Sequence, residues 1–468
     1  MGNTCVNNTS LKGKIQEVEN KLMKNFLSIL KNRNNCKIID FGELKFYSDD
    51  SDFEYVKSIM DSHKSYEKDG YNRLHHLDPK ISRAIACFVC AGIGDALGTH
   101  TEFLTVEYNR EPNIIEGFIG KNLIEERKRC NMGEFSDDTS MALCLADSLL
   151  FKGFQFDGAD LQIKFINWRF FSYNNCLKPR RHSFGLGGNI RKTMEYFMKT
   201  ASAIKNLDEN FDKLPQFSND PDNNLNGNGS IMRLAPVPIA FASNPEAIEY
   251  AKEYAFNQSK VTHTGLEAAE CCRLITHLII KFINREDTND NKNFSNGIEF
   301  NIDYALIDFH SENYSVTCLK LSQCEDEEIF EENLKQNIYN KRYNKSIADR
   351  NWNWKEKDFK YSPTREKLMP DYIGSYCMDA LAMALHISYY SKNPKDAIIK
   401  AVNMGGDSDS VAAVVGMIVG SYYGLDESIL NLYDGMKEFE NYKLSFMAYK
   451  LYTSEKNFLQ KNINIKDK

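Results

Sequence analysis

The sequence predicts a fold dominated by buried helices, and three apolar stretches carry that prediction. Residues 81–97, 141–146 and 411–424 are rich in small and apolar side chains and hold few charges. A helix at the surface of a globular protein keeps one polar face, whereas a helix that is apolar on all sides belongs to the interior. We therefore expect these stretches to form the core helices around which the rest of the chain packs.

A polar extension precedes the first core stretch. Lys, Asn and Asp recur between residues 11 and 79, and one amphipathic segment stands out within them. Its apolar residues follow helical spacing and predict a helix over 14–30: Ile15, Val18, Leu22, Phe26 and Leu30. We predict that residues 1–80 form a partly helical extension that packs on the core or binds a partner.

The first residues resemble a lipidation signal. Gly2 is placed for myristoylation and Cys5 for palmitoylation, although Val6 stands where that signal has Ser or Thr. Two acyl chains hold a protein on a membrane, whereas one does so only marginally. Acylation of Gly2 and Cys5, with peripheral attachment to a membrane, is therefore a hypothesis from this segment.

Composition and charge narrow the function classes. The chain has 468 residues, 42% of them hydrophobic, and a net charge of −7, so no nucleic-acid partner is expected. Of its 12 cysteines, only Cys87 and Cys90 have metal or redox spacing, and their apolar stretch predicts buried free thiols. No secretory signal is seen, so we predict a cytoplasmic protein, on the cytosolic face of a membrane if it is acylated.

Two clusters of oxygen-bearing side chains stand directly before core stretches. The first contains Ser136, Asp137 and Asp138, and the second runs from Asp407 through Asp409 to Ser410. Capping of a helix start is the simplest explanation, but one oxygen suffices for a cap. Adjacent carboxylates repel each other unless a cation or a proton lies between them. An all-oxygen set without His or Cys suits Mg²⁺ or Mn²⁺ rather than zinc, and four carboxylates balance two divalent ions.

Other polar residues lie at helix ends and glycine turns. Asp95 lies inside an apolar stretch, which favours a structural hydrogen-bond acceptor, whereas Glu102 follows the stretch and has better access to a ligand. Glycine turns at 183–189 and 227–229 enter helices, where backbone N–H groups can hold phosphate oxygens. Both are weak signals alone, and His263 at a helix start is as readily a cap or a surface residue.

Taken together, these motifs resemble the ADP-ribosylglycohydrolase family in identity and order, over residues 81–445. The motifs are Gly94-Asp95-Ala96-Leu97-Gly98 with Glu102-Phe103, Ser136-Asp137-Asp138-Thr139, Gly227-Asn228-Gly229 with Met232-Arg233, Thr262-His263, and Gly406-Asp407-Ser408-Asp409-Ser410. The resemblance implies an all-α, compact orthogonal helical bundle with a binuclear Mg²⁺ or Mn²⁺ site at one end.

The resemblance also assigns roles to individual residues. It implies metal ligands at Ser136, Asp137, Asp138, Asp407, Asp409 and Ser410. It places substrate contacts at Gly227, Asn228, Gly229, His263 and Tyr376, with Tyr372 as a second tyrosine candidate. Glu102 matches the acidic residue that follows the family's first glycine motif. The polar region 285–370 is longer than the family requires and is expected at the pocket rim or as a lid, and residues 446–468 are expected to form a tail.

The chemistry that the resemblance implies is metal-dependent hydrolysis of a glycosidic bond to ADP-ribose. Such a reaction passes through an oxocarbenium-like state and needs a carboxylate that handles a proton, for which Glu102 and Asp138 are the candidates. We expect an ADP-ribosylated protein as substrate, with arginine as the favoured acceptor. Two alternatives stay open: hydrolysis of another conjugate such as ADP-ribosylserine, poly-ADP-ribose or a nucleoside, and a non-catalytic binding or structural role on the same scaffold.

Overall fold

The computed structural model describes residues 51–64, 73–119, 130–176, 183–204, 210–219, 226–286, 298–307, 309, 321, 353–360 and 363–466. The α-helices in these ranges are α1 (Ser51–Met60), α2 (Pro79–Gly98), α3 (Asp137–Phe151), α4 (Gly158–Phe171), α5 (Gly188–Ala203), α6 (Pro236–Phe241), α7 (Ile248–Lys260), α8 (Leu266–Asn284), α9 (Ile298–Ile307), α10 (Pro363–Leu368), α11 (Cys377–Tyr389), α12 (Pro394–Asn403), α13 (Ser408–Tyr423), α14 (Glu427–Tyr433), α15 (Lys437–Glu440) and α16 (Lys443–Lys466). Within the described residues, β-type pairing is limited to the isolated bridges Leu104–Gly406 and Gly227–Tyr376. The predicted all-α class is confirmed.

Helices α2 and α13 form the centre of the molecule and share its largest helix–helix interface. Their backbones approach closely, because a Cβ on Gly94 would lie 2.3 Å from the Ala412 carbonyl oxygen. A Cβ on Gly98 would lie 2.5 Å from the Cα of Asp409, so only glycine fits at either position. Helix α2 has the length and apolar composition of a membrane span, but most of it is buried in this core. The contact at Gly98 fixes the start of α13 against the end of α2.

The other helices surround this pair. Helices α11 and α12 pack on α13, α16 packs on α2 and α6, α3 packs on α4, and α7 pairs with α8. The three apolar stretches predicted to be core are buried almost throughout. Cys87 and Cys90 are buried free thiols, as predicted, and burial raises the pKa of both.

Both ends of the described chain pack on the core. Phe53 of α1, which belongs to the predicted extension, contacts the rings of Tyr442 and Phe446 at centroid distances of 6.2 and 5.5 Å. Helix α16 continues past residue 445, where a C-terminal tail was expected to begin, and Phe446 and Leu451 are buried. The core therefore continues beyond that boundary, because the apolar face of α16 packs on α2 and α1.

Some predicted features lie outside the described residues or are described in part. Gly2, Cys5 and the helix expected at 14–30 lie outside them, so acylation stays a prediction. The described parts of region 285–370 include α9, which packs on α8 and α11. Trp354 is fully buried, and its Nε1 donates to the Leu321 carbonyl at 2.8 Å. This tryptophan therefore belongs to the core rather than to a pocket rim.

Candidate active site

A turn after α2 brings Glu102 beside the start of α13. The amide of Phe103 donates to the Gly406 carbonyl and the amide of Gly406 donates to the Leu104 carbonyl, both at 2.8 Å. Gly406 has a φ of +65°, a conformation that favours glycine. As a result, one carboxylate oxygen each of Glu102, Asp407 and Asp409 lies within 4.8 Å of the other two.

The start of α3 supplies the second group of carboxylates. Ser136 is the N-cap residue, and its Oγ accepts from the Asp138 amide at 3.4 Å. The Asp95 carboxylate of α2 accepts from the amides of Ser136 and Thr139 at 2.9 to 3.1 Å. Asp95 is therefore the structural acceptor that the sequence predicted, and it leaves the carboxylates of Asp137 and Asp138 free of capping.

The two helix starts meet in the interior. The Oγ of Ser410 donates to Oδ1 of Asp138 at 3.5 Å, which joins α13 to α3. The other carboxylate oxygen of Asp138 is buried and has no hydrogen-bond partner among the described residues. A buried carboxylate oxygen without a donor is costly unless a proton or a cation satisfies it.

The pKa shifts of these carboxylates also indicate that a proton or a cation is needed among them. Burial raises the pKa of Asp137, Asp138 and Asp409 well above its usual range, and neighbouring carboxylates raise it further. For Asp409, the largest contribution after burial comes from Glu102. Hard divalent cations bind such oxygen sets and favour the charged carboxylates, so the residues present fit Mg²⁺ or Mn²⁺.

The predicted glycine turn lies against this acidic centre. Nδ2 of Asn228 donates to Oδ2 of Asp407 at 3.0 Å and to the Gly374 carbonyl at 2.8 Å. The Asn228 amide donates to the Ser375 carbonyl at 3.1 Å, and Gly227 forms a backbone bridge with Tyr376. The turn and the tyrosine segment are thus held together beside the carboxylates.

His263 packs on the same turn. A Cβ on Gly229 would lie 2.9 Å from Cε1 of the His263 ring, so the ring edge rests on the glycine backbone. Nδ1 of His263 lies 2.9 Å from Oγ1 of Thr262, and this oxygen also accepts from Nη2 of Arg233 at 2.9 Å. Burial, assisted by the charge of Arg233, lowers the pKa of His263 to about 3. His263 is therefore a neutral residue at this position.

Two further features flank the carboxylates: the glycine turn at 183–189, which the sequence indicated only as a possible phosphate-binding turn, and a pair of aromatic rings that includes Tyr372. A Cβ on Gly185 would lie 1.9 Å from Oδ1 of Asp137, so the turn at 183–189 passes directly over that carboxylate. The half-exposed rings of Phe103 and Tyr372 lie 5.3 Å apart between centroids. The glycine-rich sequence was a signal for the first feature, whereas no sequence signal connects two aromatic residues so far apart in the chain.

The structure thus gathers every predicted site residue that it describes. The site residues lie around one centre, next to the starts of α3 and α13: the carboxylates and serines of both clusters, Glu102, the turn at 227–229, His263 and Tyr376. Gly2 and Cys5 are the exceptions, because they lie outside the described residues. Ser136 contributes its hydroxyl to the helix cap, and its role as a metal ligand stays a prediction.

Comparisons with known proteins agree with this geometry. A family model described as ADP-ribosylglycohydrolase matches residues 77–453. The chain is 27% identical over 345 residues to the ADP-ribosylarginine hydrolase Tri1 of Pseudomonas putida (strain GB-1), covering 74% of this chain and 71% of that protein. It is 24% identical over 354 residues to the ADP-ribosyl-[dinitrogen reductase] glycohydrolase of Rhodospirillum rubrum, covering 74% and 87% of the two chains.

A solved structure shows the same fold. The "ADP-ribosylglycohydrolase-related protein complex" superposes with a TM-score of 0.52 at 21% identity, covering 81% of this chain and all of that chain. The helical architecture expected from the sequence motifs is therefore confirmed.

Proposed function

This chain belongs to the ADP-ribosylglycohydrolase family, and on that premise we propose that it is a metal-dependent hydrolase that removes ADP-ribose from modified protein side chains, with arginine as the acceptor. The observation that carries the proposal is the convergence of carboxylates from α3, α13 and the turn after α2. The Asp138 oxygen that lacks a partner lies within this group.

The carboxylates and serines at the two helix starts would hold the ions. Asp137, Asp138, Asp407 and Asp409 supply four negative charges, which two divalent cations balance. Bound Mg²⁺ or Mn²⁺ would supply positive charge that orients ribose hydroxyls and lowers the pKa of a bound water. A non-catalytic role is disfavoured, because a binding protein has no need for a set of buried carboxylates that repel one another.

Other residues of the chain would handle the substrate and its proton. Glu102 is half-buried at the edge of the cluster, where its carboxylate would accept the proton of the attacking water. Asp138 is the second candidate for that proton. The amides of Gly227 and Gly229 would bind the pyrophosphate, since that of Asn228 already donates to the Ser375 carbonyl. The backbone bridge at Gly227 holds Tyr376 next to the turn.

We propose arginine as the residue from which ADP-ribose is removed because relatives of this chain are named for that substrate. Two of them are named ADP-ribosylarginine hydrolase, at 27% and 25% identity. The half-exposed rings of Phe103 and Tyr372 beside Glu102 also suit a guanidinium, which stacks on aromatic faces. ADP-ribosylserine and poly-ADP-ribose are the competing substrates.

The test is release of free ADP-ribose from ADP-ribosylarginine and ADP-ribosylserine peptides, with Mg²⁺, Mn²⁺ or EDTA. We expect release from the arginine peptide that requires a metal ion. Asp409→Asn should lower the rate at least about 100-fold, because it removes a buried anionic ligand. Asp358→Asn serves as the matched control, since Asp358 is an exposed aspartate outside the site.

Each other outcome changes the assignment. Release from the serine peptide alone would show that the acceptor is serine and not arginine, and the protein would still be an ADP-ribosylglycohydrolase. Full activity in EDTA would overturn metal dependence. Absence of release from both peptides, with ADP-ribose still bound, would point to a different conjugate or to a binding role.

A further inference from the structure

Arg233 is a buried cation whose hydrogen-bond partners among the described residues are neutral, although the charge of Asp137 also acts on it. It is fully buried, and its guanidinium lies 4.7 Å from the centroid of the Phe165 ring. Its Nε donates to Oε1 of Gln258 at 3.0 Å, and its Nη2 donates to the Gln258 carbonyl and to Oγ1 of Thr262, both at 2.9 Å. A buried charge is costly, so its placement beside a glycine turn of the active site calls for a role.

The contact with Thr262 determines where the hydroxyl proton goes. A guanidinium can only donate, so Oγ1 of Thr262 is an acceptor toward Arg233. The second neighbour of that oxygen is Nδ1 of His263 at 2.9 Å. The structure shows no other acceptor for the hydroxyl of Thr262 in the described part of the chain. A proton on Nδ1 would therefore leave the hydroxyl buried without an acceptor, which costs about 1–3 kcal/mol.

The tautomer of His263 follows from this arrangement. Nδ1 accepts from Thr262, and the neutral imidazole carries its proton on Nε2. Nε2 faces the turn at 227–229, since a Cβ on Gly229 would lie 3.2 Å from it and one on Gly227 would lie 3.4 Å from it. The absence of side chains at these glycines lets the ring approach the surface on which a ligand would rest.

We propose that Arg233 and Thr262 are positioning residues that hold His263 as a fixed Nε2–H donor toward a ligand oxygen at the turn 227–229. The identity of the ligand, ADP-ribose or a conjugate of it, rests on the proposed function, whereas the proton arrangement does not. A neutral donor of this kind binds phosphate or ribose oxygens equally well across the pH range in which an ordinary histidine titrates.

The experiment combines nitrogen NMR with binding measurements on the full-length protein. The chain has nine histidines, so the His263 signals in ¹⁵N-histidine-labelled protein are assigned from their loss in His263→Asn. In the wild type we expect an unprotonated Nδ1 and a protonated Nε2, unchanged between about pH 5.5 and 8.5. Thr262→Ser keeps the hydroxyl and should reproduce this spectrum.

Thr262→Val removes the hydroxyl at nearly constant shape. We expect it to populate the Nδ1–H tautomer and to weaken ADP-ribose binding, measured by calorimetry, about 3- to 10-fold, with Thr262→Ser close to wild type. A wild-type His263 that is protonated on Nδ1, or that titrates in this range, overturns the positioning role whatever the substrate is. A Thr262→Val variant with the wild-type tautomer of His263 and the wild-type affinity for ADP-ribose overturns the positioning role as well. The expected tautomer without any ADP-ribose binding to the wild type would overturn the ligand assignment and, with it, the proposed function.

Discussion

The starts of α3 and α13 have similar sequences, Ser-Asp-Asp and Asp-Ser-Asp-Ser, yet they use their polar side chains differently. At α3, capping is carried out by Ser136 and by Asp95 from a neighbouring helix, so neither carboxylate of the motif has to cap. At α13, the N-cap residue Asp407 makes no side-chain cap and is held by Asn228 instead. Asp409 accepts from the Ser410 amide through one oxygen.

The difference teaches how a helix start can carry a charged site. Helix N-termini stabilise nearby carboxylates, and a carboxylate that caps is not available to a cation. In this protein the free amides at α3 are satisfied by Asp95, which comes from outside the motif. The carboxylates at both starts therefore point into one buried centre, and they gain their full stabilisation only when positive charge is present.

Replacement of Asp95 should have the largest effect on stability. In Asp95→Asn, one of the two acceptor oxygens becomes an NH₂ group, which would either face the donating amide of Ser136 or leave the amide of Thr139 without its acceptor. We expect the free energy of unfolding to fall by about 3 kcal/mol, because the loss leaves buried donors unsatisfied. Urea unfolding in EDTA measures this change.

The matched variant is Asp137→Asn, on the first residue of the same helix. Burial raises the pKa of both Asp95 and Asp137, but the amides of Ser136 and Thr139 donate to Asp95. The metal-free Asp137→Asn protein keeps these bonds, so it should unfold no more easily than the wild type. An equal fall in the free energy of unfolding in Asp95→Asn and Asp137→Asn would show that both carboxylates cap the helix. The proposed difference between the roles of Asp95 and Asp137 would then be wrong.

The metal-free protein should be more stable in mild acid than at neutral pH. The pKa of Asp137, Asp138 and Asp409 is raised in the folded state above the unfolded value of about 4. The folded protein therefore holds protons that the unfolded chain releases, and stability is lost as the pH rises through this window. Urea unfolding between about pH 5 and pH 8 measures the slope.

Saturating Mn²⁺ should reverse most of that slope, since ions bind the deprotonated carboxylates. At 100 times the dissociation constant, the ion would add about 2.7 kcal/mol. Away from these carboxylates, two groups act in opposite directions in both forms: Glu440, whose pKa burial raises to about 7, favours the folded state in acid, whereas His263, whose pKa burial lowers to about 3, favours it as the pH rises through about 6.5. A metal-free protein whose stability rises with pH would contradict the electrostatic description of the site.

Much of the fold could be predicted from the sequence because its core helices are unusually apolar. The stretches around α2 and α13 are so apolar that burial was the only consistent prediction, and Gly94 and Gly98 mark their close contact. Helix α16 continues past residue 445, where the sequence indicated a tail, because the burial of Phe446 and Leu451 depends on contacts with α1 and α2 that are distant in the chain.

The sequence predicted which residues form the site, but it did not predict the contacts between them. Carboxylates and glycine turns are visible as motifs, and they point to a centre even when the chain between them is unknown. The bond between Asn228 and Asp407 joins residues far apart in the chain, and the pairing of Phe103 with Tyr372 is equally distant. Such contacts depend on how helices are arranged in space, which the spacing of motifs in one sequence does not encode.

Asn228 offers the mildest way to test the difference between the two helix starts. Its Nδ2 orients the carboxylate of Asp407, whereas the second oxygen of Asp138 has no such donor among the described residues. In Asn228→Ala, Asp407 would lose its orienting bond while keeping its charge. We expect Mn²⁺ affinity to fall about 10-fold, as is usual when a residue that orients a metal ligand is removed.

Asn257→Ala is the matched control, because Nδ2 of Asn257 donates to Oε1 of Glu253 at 3.2 Å on the exposed surface. Calorimetric titration of Mn²⁺ into both variants compares the same amide–carboxylate bond inside and outside the site. If Asn228→Ala binds Mn²⁺ as tightly as Asn257→Ala, Asp407 is either oriented by its own backbone or absent from the metal site. The acidic centre would then depend on Glu102, Asp409 and the start of α3, and the two helix starts would contribute unequally to it.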